Sequence, residues 1–308
     1  MTILRPHTYY SARDSSAERF IIDGLLHRHA TAIVGRPKAG KSTLAGAMVA
    51  AVARGNGEFL GRPVKAPSGP VAAIVTDPGD DEAWSARLAA LDVPDGSVFV
   101  GPYEGYRQTF WDDLIVEIRS AGVGLFVFDN ASGAAGDDVR SNATARLLLD
   151  PMSRIHALGV PVVLVAHTAK TPFEGSGAGF SRSPMGSTAY EAWARHLVAV
   201  ESTGPGTVLV ATWGNHAPSA ELTASVNVDG DRVSYTLMTE KVRVDRRPRA
   251  AETHGRRLDL AELVRHHGWD GLPNAEIGRR LAGEYPDRWP SPDAARVAYS
   301  RAKGAAGA

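Results

Sequence analysis

Gly35-Arg-Pro-Lys-Ala-Gly-Lys-Ser42 stands between an apolar run, Ala30-Thr-Ala-Ile-Val34, and an alanine-rich stretch, Lys41 to Ala53, that reads as a helix. Two glycines with four residues between them, followed by Lys-Ser, build a loop whose backbone N–H groups turn inward and wrap phosphates, because no side chain blocks the approach. Lys41 supplies a mobile cation for the β- and γ-phosphates, and the Ser42 hydroxyl is placed to ligate Mg²⁺. A loop leaving a strand and entering a helix also gains the partial positive charge of the helix N-terminus. The expected nucleotide cradle is Gly35, Lys38, Ala39, Gly40, Lys41, Ser42 and Thr43, with ATP and Mg²⁺ as cofactors.

Outward from this loop, apolar strands alternate with helical stretches. Val71–Val75, Ser97–Val100, Gly124–Asp129 and Pro161–Val165 read as strands, separated by helices over Asp81–Leu91, Phe110–Ala121 and Ala143–Leu158. Short strands with no polar alternation belong in a parallel sheet covered on both faces, so the fold class is α/β. After His196 the pattern changes to strands joined by Gly, Asn and Asp turns, at Leu197–Glu201, Val208–Trp213, Glu221–Val228 and Arg232–Met238. These extend the sheet with antiparallel members.

Three strand ends carry chemistry. Asp129 closes an apolar strand, where an acid coordinates Mg²⁺ and its waters; an aspartate there also serves as a simple cap. Asp77 leads a cluster with Asp80, Asp81 and Glu82 just past Val75, at the sheet edge where open α/β folds bind ligands. One of these acids can orient the attacking water, although Asp-Pro-Gly-Asp-Asp is equally an ordinary turn and helix start. His167 follows another apolar strand and is placed either to sense the γ-phosphate or merely to tie off the strand.

The chain has 308 residues, with 34 basic and 34 acidic side chains and no cysteine. That length holds one large domain and a small one. Absence of cysteine excludes disulfides, thiolate metal sites and cysteine nucleophiles. No apolar run approaches the roughly 20 residues of a membrane span, and no leader sequence is read in the first twenty residues, so a cytoplasmic location away from membranes is expected. The balanced charge hides an asymmetry. From Lys241 onward there are 14 basic and 9 acidic residues, which leaves 20 and 25 in the first 240. A basic tail on an acidic body suits a polyanion, or simply a soluble helical tail.

The expected organisation is a flexible arm over 1–18, a core over 19–240, a basic linker over 241–255 and a small helical domain over 256–308. In the last, Arg257–His267, Asn274–Tyr285 and Ser291–Lys303 read as helices, with Asn274 as a cap and Pro292 in a first turn. This is the pattern of a helix-turn-helix or winged-helix module, in which Arg296 and Arg301 meet nucleic-acid phosphates; a protein-binding bundle reads the same way.

Taken together, the phosphate loop, Thr76-Asp-Pro78, the strand ending in Asp129, His167-Thr-Ala-Lys170, the Gly/Ser-rich segment Gly175 to Ser183, Gly186-Ser-Thr188 and Arg195 resemble the RecA/DnaB superfamily, and within it the plasmid-type RepA-like hexameric helicases. The likeness covers about residues 20 to 240. It implies a RecA-like ATPase core that assembles into a ring, usually a hexamer, with ATP between subunits. It also implies a loop over Gly175–Ser183 facing single-stranded DNA, with Lys170 and Arg182 on phosphates, and Arg195 reaching a neighbour's ATP. The chain departs from the family in two places. Thr76 stands where relatives carry a catalytic glutamate, with Asp77 next, and Thr212-Trp-Gly-Asn215 lacks the cation that relatives place before an asparagine turn. A motor for DNA replication or recombination is the leading expectation, and a slowly hydrolysing, ATP-switched DNA-binding protein the alternative.

Overall fold

The computed structural model describes residues 19–55, 57–105, 107–135, 142–168, 188–243, 260–285, 289 and 291–305. In chain order, a hairpin of β1 (Phe20–Ile22) and β2 (Leu26–His27) leads into β3 (Ala30–Gly35) and α1 (Lys41–Ala53). The short pair β4 (Glu58–Phe59) and β5 (Arg62–Pro63) precedes β6 (Val71–Val75), α2 (Asp80–Ala90), β7 (Val98–Pro102) and α3 (Gln108–Ser120). Then come β8 (Leu125–Asp129), α4 (Ala131–Ala135), α5 (Asn142–Ala157), β9 (Val162–His167) and α6 (Thr188–Trp193). Four long strands follow: β10 (His196–Gly204), β11 (Thr207–Gly214), β12 (Ser219–Asp229) and β13 (Arg232–Arg243).

Among the described residues, nine of these strands form one sheet in the order β13-β12-β11-β10-β3-β9-β8-β6-β7. The run from β10 to β7 is parallel, and β11, β12 and β13 are antiparallel, as the change of pattern after His196 predicts. Apart from the edge strand β7, the parallel strands are buried on both faces because side chains alternate between two cores. Val71, Ala73, Val75, Val127 and Val165 face α1 and α2, where Leu44, Met48, Trp84 and Leu88 pack. Phe126, Phe128 and Leu164 face the other way, onto Trp111, Ile118, Met152 and Ile155 of α3 and α5.

The structure corrects the sequence reading at several ends. β13 runs on through Lys241, Val242 and Arg243, the first residues expected in the linker, because they pair with Glu221, Ala220 and Ser219 of β12. The short helices α4 and α6 and the hairpin at Phe20 were not legible as separate elements.

Histidines gather at the N-terminal edge of the parallel strands. His27 Nε2 lies 3.0 Å from His216 Nδ1, and the His29 backbone N–H donates to His27 Nδ1 at 3.1 Å. His196 Nε2 contacts the Gly24 carbonyl at 2.8 Å. Both His27 and His196 are completely buried. Burial first, then the neighbouring positive groups His29, His216, His196 and Arg19, push His27 down to about 3. Burial likewise pushes His196 down to about 4, with the Gly24 carbonyl and Asp23 opposing and Arg62 and His216 assisting.

Residues 246–308 form a second compact unit. Its helices α7 (Leu260–His266), α8 (Asn274–Glu284) and α9 (Pro292–Ala305) enclose a core of Val264, Ile277, Leu281, Ala295 and Tyr299. Asn274 is the first residue of α8 rather than its cap, a position taken by Pro273. Ser291 caps α9 by accepting from the Ala294 N–H at 3.3 Å.

Candidate nucleotide site

The sheet register brings the sequence-predicted groups to one edge. Gly35 is level with His167 across the β3–β9 pair, and Asp129 is level with both Val75 and Val165. The phosphate loop, the Asp77 segment, Asp129 and His167 therefore leave the C-terminal ends of four adjacent parallel strands, the position where such sheets bind ligands.

The loop glycines are there for space and conformation. A Cβ on Gly35 would stand 2.5 Å from the Val200 carbonyl and 3.3 Å from Lys41 Cγ, and Gly40 holds φ at +90°. The side chain of Lys41 is buried; its Nζ donates to the Arg36 carbonyl at 3.0 Å and lies 2.9 Å from His167 Nδ1. Burial pushes Lys41 down to about 8, against the attraction of Asp129 and Asp77. His167 is held below its usual value by burial and by Lys41, with Asp77 and the Gly35 backbone opposing; with Nδ1 unprotonated, the ring accepts from the ammonium.

Asp129 is fully buried. Its Oδ2 accepts from the indole Nε1 of Trp84 at 3.1 Å, while Oδ1 is buried with no hydrogen-bond partner. Burial pushes its carboxyl up; the Ser42 hydroxyl, Trp84 and Lys41 pull it back, and Asp80 adds to the rise. An orphaned carboxylate oxygen in a dry setting is costly unless a cation or its water completes it. The residues present thus fit a hard divalent cation held between Asp129 and the neighbouring Ser42 hydroxyl.

Asp77 is wired to the same strand end. The Asn130 side-chain amide donates to Asp77 Oδ2 at 3.2 Å, and the Thr76 hydroxyl lies 3.4 Å from Asp77 Oδ1. The Thr76 N–H donates to the Asp129 carbonyl at 2.8 Å, and the Asn130 N–H to Thr76 Oγ1 at 3.0 Å. Asn130 Oδ1 accepts from the Gly133 N–H at 2.8 Å. Gly133 is packed so closely here that a Cβ would stand 2.3 Å from Thr76 Oγ1 and 2.7 Å from Asp77 Oδ1. Asp80, at the start of α2, is held above its usual value by burial and by Asp77, and it acts electrostatically on Asp129. The sequence reading missed Trp84, Asn130 and Gly133. Asn130 adjoins Asp129, and Trp84 lies one helical turn beyond Asp80, but only the fold turns them to the carboxylates.

Two clefts flank the loop. One of about 190 Å³ lies between Arg36, Pro37, Lys38, Glu201 and Ser202. The other, of about 280 Å³, is lined by Lys38, Gly40, Thr43, Thr207, Val226 and Tyr235. The antiparallel strands therefore wall the cradle, a role that nothing in their sequence announces. Ala39 is buried in the loop and Lys38 is exposed at positive φ.

Arg195 is not brought to this cluster. It is exposed, and its N–H donates to the Ala30 carbonyl at 3.0 Å, at the opposite end of β3 from Gly35. Ala30 and Gly35 are five residues apart along β3, roughly 16 Å. Lys170, Arg182 and the Gly175–Ser183 segment lie outside the described residues. Arg296, on α9, pairs with Asp293 at 3.2 Å. Arg301 is on the same helix, its side chain outside the described set. Among the described residues, the second unit has three helices and no strand, so a wing is not seen.

Comparison with known proteins agrees with this architecture. The profile of a family described as an AAA domain matches residues 11–172, just over half of the chain. No curated protein matches in sequence. Among solved structures, a DnaB-like replicative helicase, studied with its interactions with primase, superposes with a TM-score of 0.55 at 13% identity. That superposition covers 74% of this chain and 66% of the helicase. A KaiC-like protein from the hyperthermophilic archaeon Pyrococcus horikoshii OT3 superposes with a TM-score of 0.46 at 12% identity, over 71% of this chain and 94% of the other. The core is the RecA-like α/β fold that the sequence led us to expect. No helix among the described residues is long and apolar enough to cross a membrane.

Proposed function

The chain belongs to the AAA-domain family of P-loop ATPases, and from that premise we propose that it is an ATP-hydrolysing, DNA-acting motor of the RepA-like hexameric helicase type, serving replication or recombination of DNA. The observation that carries this reading is the 2.9 Å contact between Lys41 Nζ and His167 Nδ1. Lys41 Nζ has three donors and here contacts the Arg36 carbonyl and His167, so a γ-phosphate that draws the ammonium toward itself changes what His167 touches. His167 ends β9, and the chain then runs into Lys170 and the Gly175–Ser183 segment, the expected DNA contacts. In this reading, phosphate occupancy reaches the expected DNA-facing segment along the chain that follows His167.

Within this reading, the loop N–H groups and Lys41 bind and orient the triphosphate. Ser42 and Asp129 would hold Mg²⁺, which neutralises phosphate charge when bound. Trp84 fixes the Asp129 carboxylate, and Asp77 or Asp80 holds the attacking water. Arg195 acts on the neighbouring subunit's nucleotide in a ring, and Arg296 and Arg301 meet DNA phosphates in a helix-turn-helix unit.

A second reading, a slow ATP-timed DNA-binding switch, is favoured by one observation. Asp77 Oδ2 accepts a hydrogen bond from Asn130 and Oδ1 lies beside the Thr76 hydroxyl, so both oxygens already have neighbours and neither is left free to hold a water. ATP turnover with and without single-stranded DNA, beside Lys41→Ala and Asp77→Ala, separates the two. DNA-stimulated turnover that both variants abolish supports the motor; ATP binding with negligible turnover under every condition refutes it and leaves the switch.

A further inference from the structure

Four imidazole rings stand in a row at the N-terminal edge of the parallel strands: His216, His27, His29 and His156, with successive ring centroids 5.1, 5.2 and 4.9 Å apart. The row contains two close nitrogen pairs. His27 Nε2 faces His216 Nδ1 at 3.0 Å, and His29 Nδ1 faces His156 Nε2 at 3.1 Å. Such a separation suits a shared proton, and it equally suits two neighbouring ligands of one metal ion. Metal–imidazole bonds of about 2.0–2.1 Å set the two nitrogens about 2.8–3.4 Å apart for angles between octahedral and tetrahedral. The backbone decides which pair can take the ion. His27 Nδ1 accepts from the His29 N–H at 3.1 Å, so the proton of the neutral His27 ring sits on Nε2, the nitrogen that faces its partner. That ring is also completely buried. His156 is set the other way. Its Nδ1 lies 3.3 Å from the Val160 carbonyl, which only accepts, so Nδ1 carries the proton and Nε2 keeps its lone pair. A ring N–H donated to a backbone carbonyl is the arrangement that orients the histidine ligands of metals. His29 is exposed and His156 half-buried, so an ion with its waters reaches both. Their backbones are held as well: the His29 carbonyl accepts from the Val162 N–H, and the His156 carbonyl from the Gly159 N–H, each at 2.8 Å.

From this geometry we propose that His29 and His156 form a two-histidine site for a first-row transition-metal ion of the Cu²⁺, Ni²⁺ or Zn²⁺ class. The ion takes the lone pairs of His156 Nε2 and His29 Nδ1, and the proton of the His29 ring passes through solvent from Nδ1 to Nε2. Among the described residues no group of three or more His, Asp or Glu side chains converges as a metal site, so water completes the coordination. Imidazole ligands favour Cu²⁺ over Ni²⁺ and Zn²⁺, and they leave Mg²⁺ and Ca²⁺, which take oxygen ligands, unbound. The ion joins the turn before β3 to the last turn of α5, at the root of the β3–β9 pair where Ala30 stands level with Val162. The inference does not depend on the nucleotide reading, since His29 precedes β3 and the phosphate cradle follows it.

The test is isothermal titration of the untagged full chain with Ni²⁺, in saturating Mg²⁺ so that oxygen-ligand sites are already filled. His29→Gln and His156→Gln should each weaken the tightest Ni²⁺ site at least about tenfold, while His216→Ala, which touches only the excluded pair, should leave it within about twofold. Electron paramagnetic resonance of the wild type with one equivalent of Cu²⁺ needs no variant, and it should show two coordinated imidazole nitrogens. Ni²⁺ should raise the melting temperature of the wild type and not that of the double variant His29→Gln with His156→Gln. Ni²⁺ affinity equal in the wild type and both single variants would overturn the proposal. So would a copper spectrum with a single imidazole, or a loss in His216→Ala as large as in His156→Gln.

Discussion

Acidification should unfold this protein through two histidines remote from the nucleotide site. His27 and His196 are completely buried at the start of the parallel strands. They are pushed down to about 3 and about 4 in the folded chain, from the ordinary 6.5. Because the folded values are depressed, the unfolded chain takes up protons that the folded chain refuses once the pH drops below 6.5. Stability is therefore intact above that pH and lost as the pH falls toward the folded values. Each histidine removes about 1.4 kcal/mol per pH unit inside this window, so between pH 7 and pH 5 each contributes a loss of about 2 kcal/mol and the pair about 4 kcal/mol. Urea unfolding at half-unit steps from pH 7.5 to 5.0 reads the slope, and His196→Gln isolates one half of it. Glutamine keeps a donor for the Gly24 carbonyl but cannot titrate. The variant should lose about half of the wild-type pH dependence over that range, whatever its stability at pH 7.5. Identical slopes in wild type and variant would refute the reasoning and mean that His196 protonates freely in the folded state.

Three further outcomes follow from the carboxylate cluster. Trp84→Phe removes the donor to buried Asp129; in a double-mutant cycle with Asp129→Ala, read by urea unfolding, the coupling should be about 1.5–3 kcal/mol, and strict additivity would mean that the 3.1 Å contact contributes nothing. Gly133→Ala drives a methyl toward Thr76 and Asp77, so turnover should drop at least about tenfold with ATP affinity held within about twofold; unchanged turnover would show that Asp77 is not engaged in hydrolysis. Asp77→Asn and Asp80→Asn, compared by single-turnover hydrolysis, assign the water-orienting acid: the variant with the larger loss, expected at about 10²-fold or more, identifies it, and full activity in both would exclude both.

Much of the core was legible because its signals are local. A glycine loop ending in Lys41 and Ser42 needs a strand before it and a helix after it, and apolar runs without alternation need cover on two faces, so α/β order follows from short stretches read in turn. Asp129 and His167 could be singled out for the same reason, as polar residues that end buried strands.

What only the tertiary structure decided are the relations between strands far apart in sequence. The order that places β3 between β9 and β10 sets Gly35 level with His167 and puts Lys41 2.9 Å from its ring. The packing of α2 against the sheet turns Trp84 onto Asp129, and the meeting of β6 and β8 wires Asn130 to Asp77. The same topology places Arg195 at the opposite end of β3 from Gly35. Periodicity and composition report which face of an element is apolar; they carry no record of which neighbour that face meets. That choice is made by side-chain packing and by the pairing of backbone donors across the whole sheet.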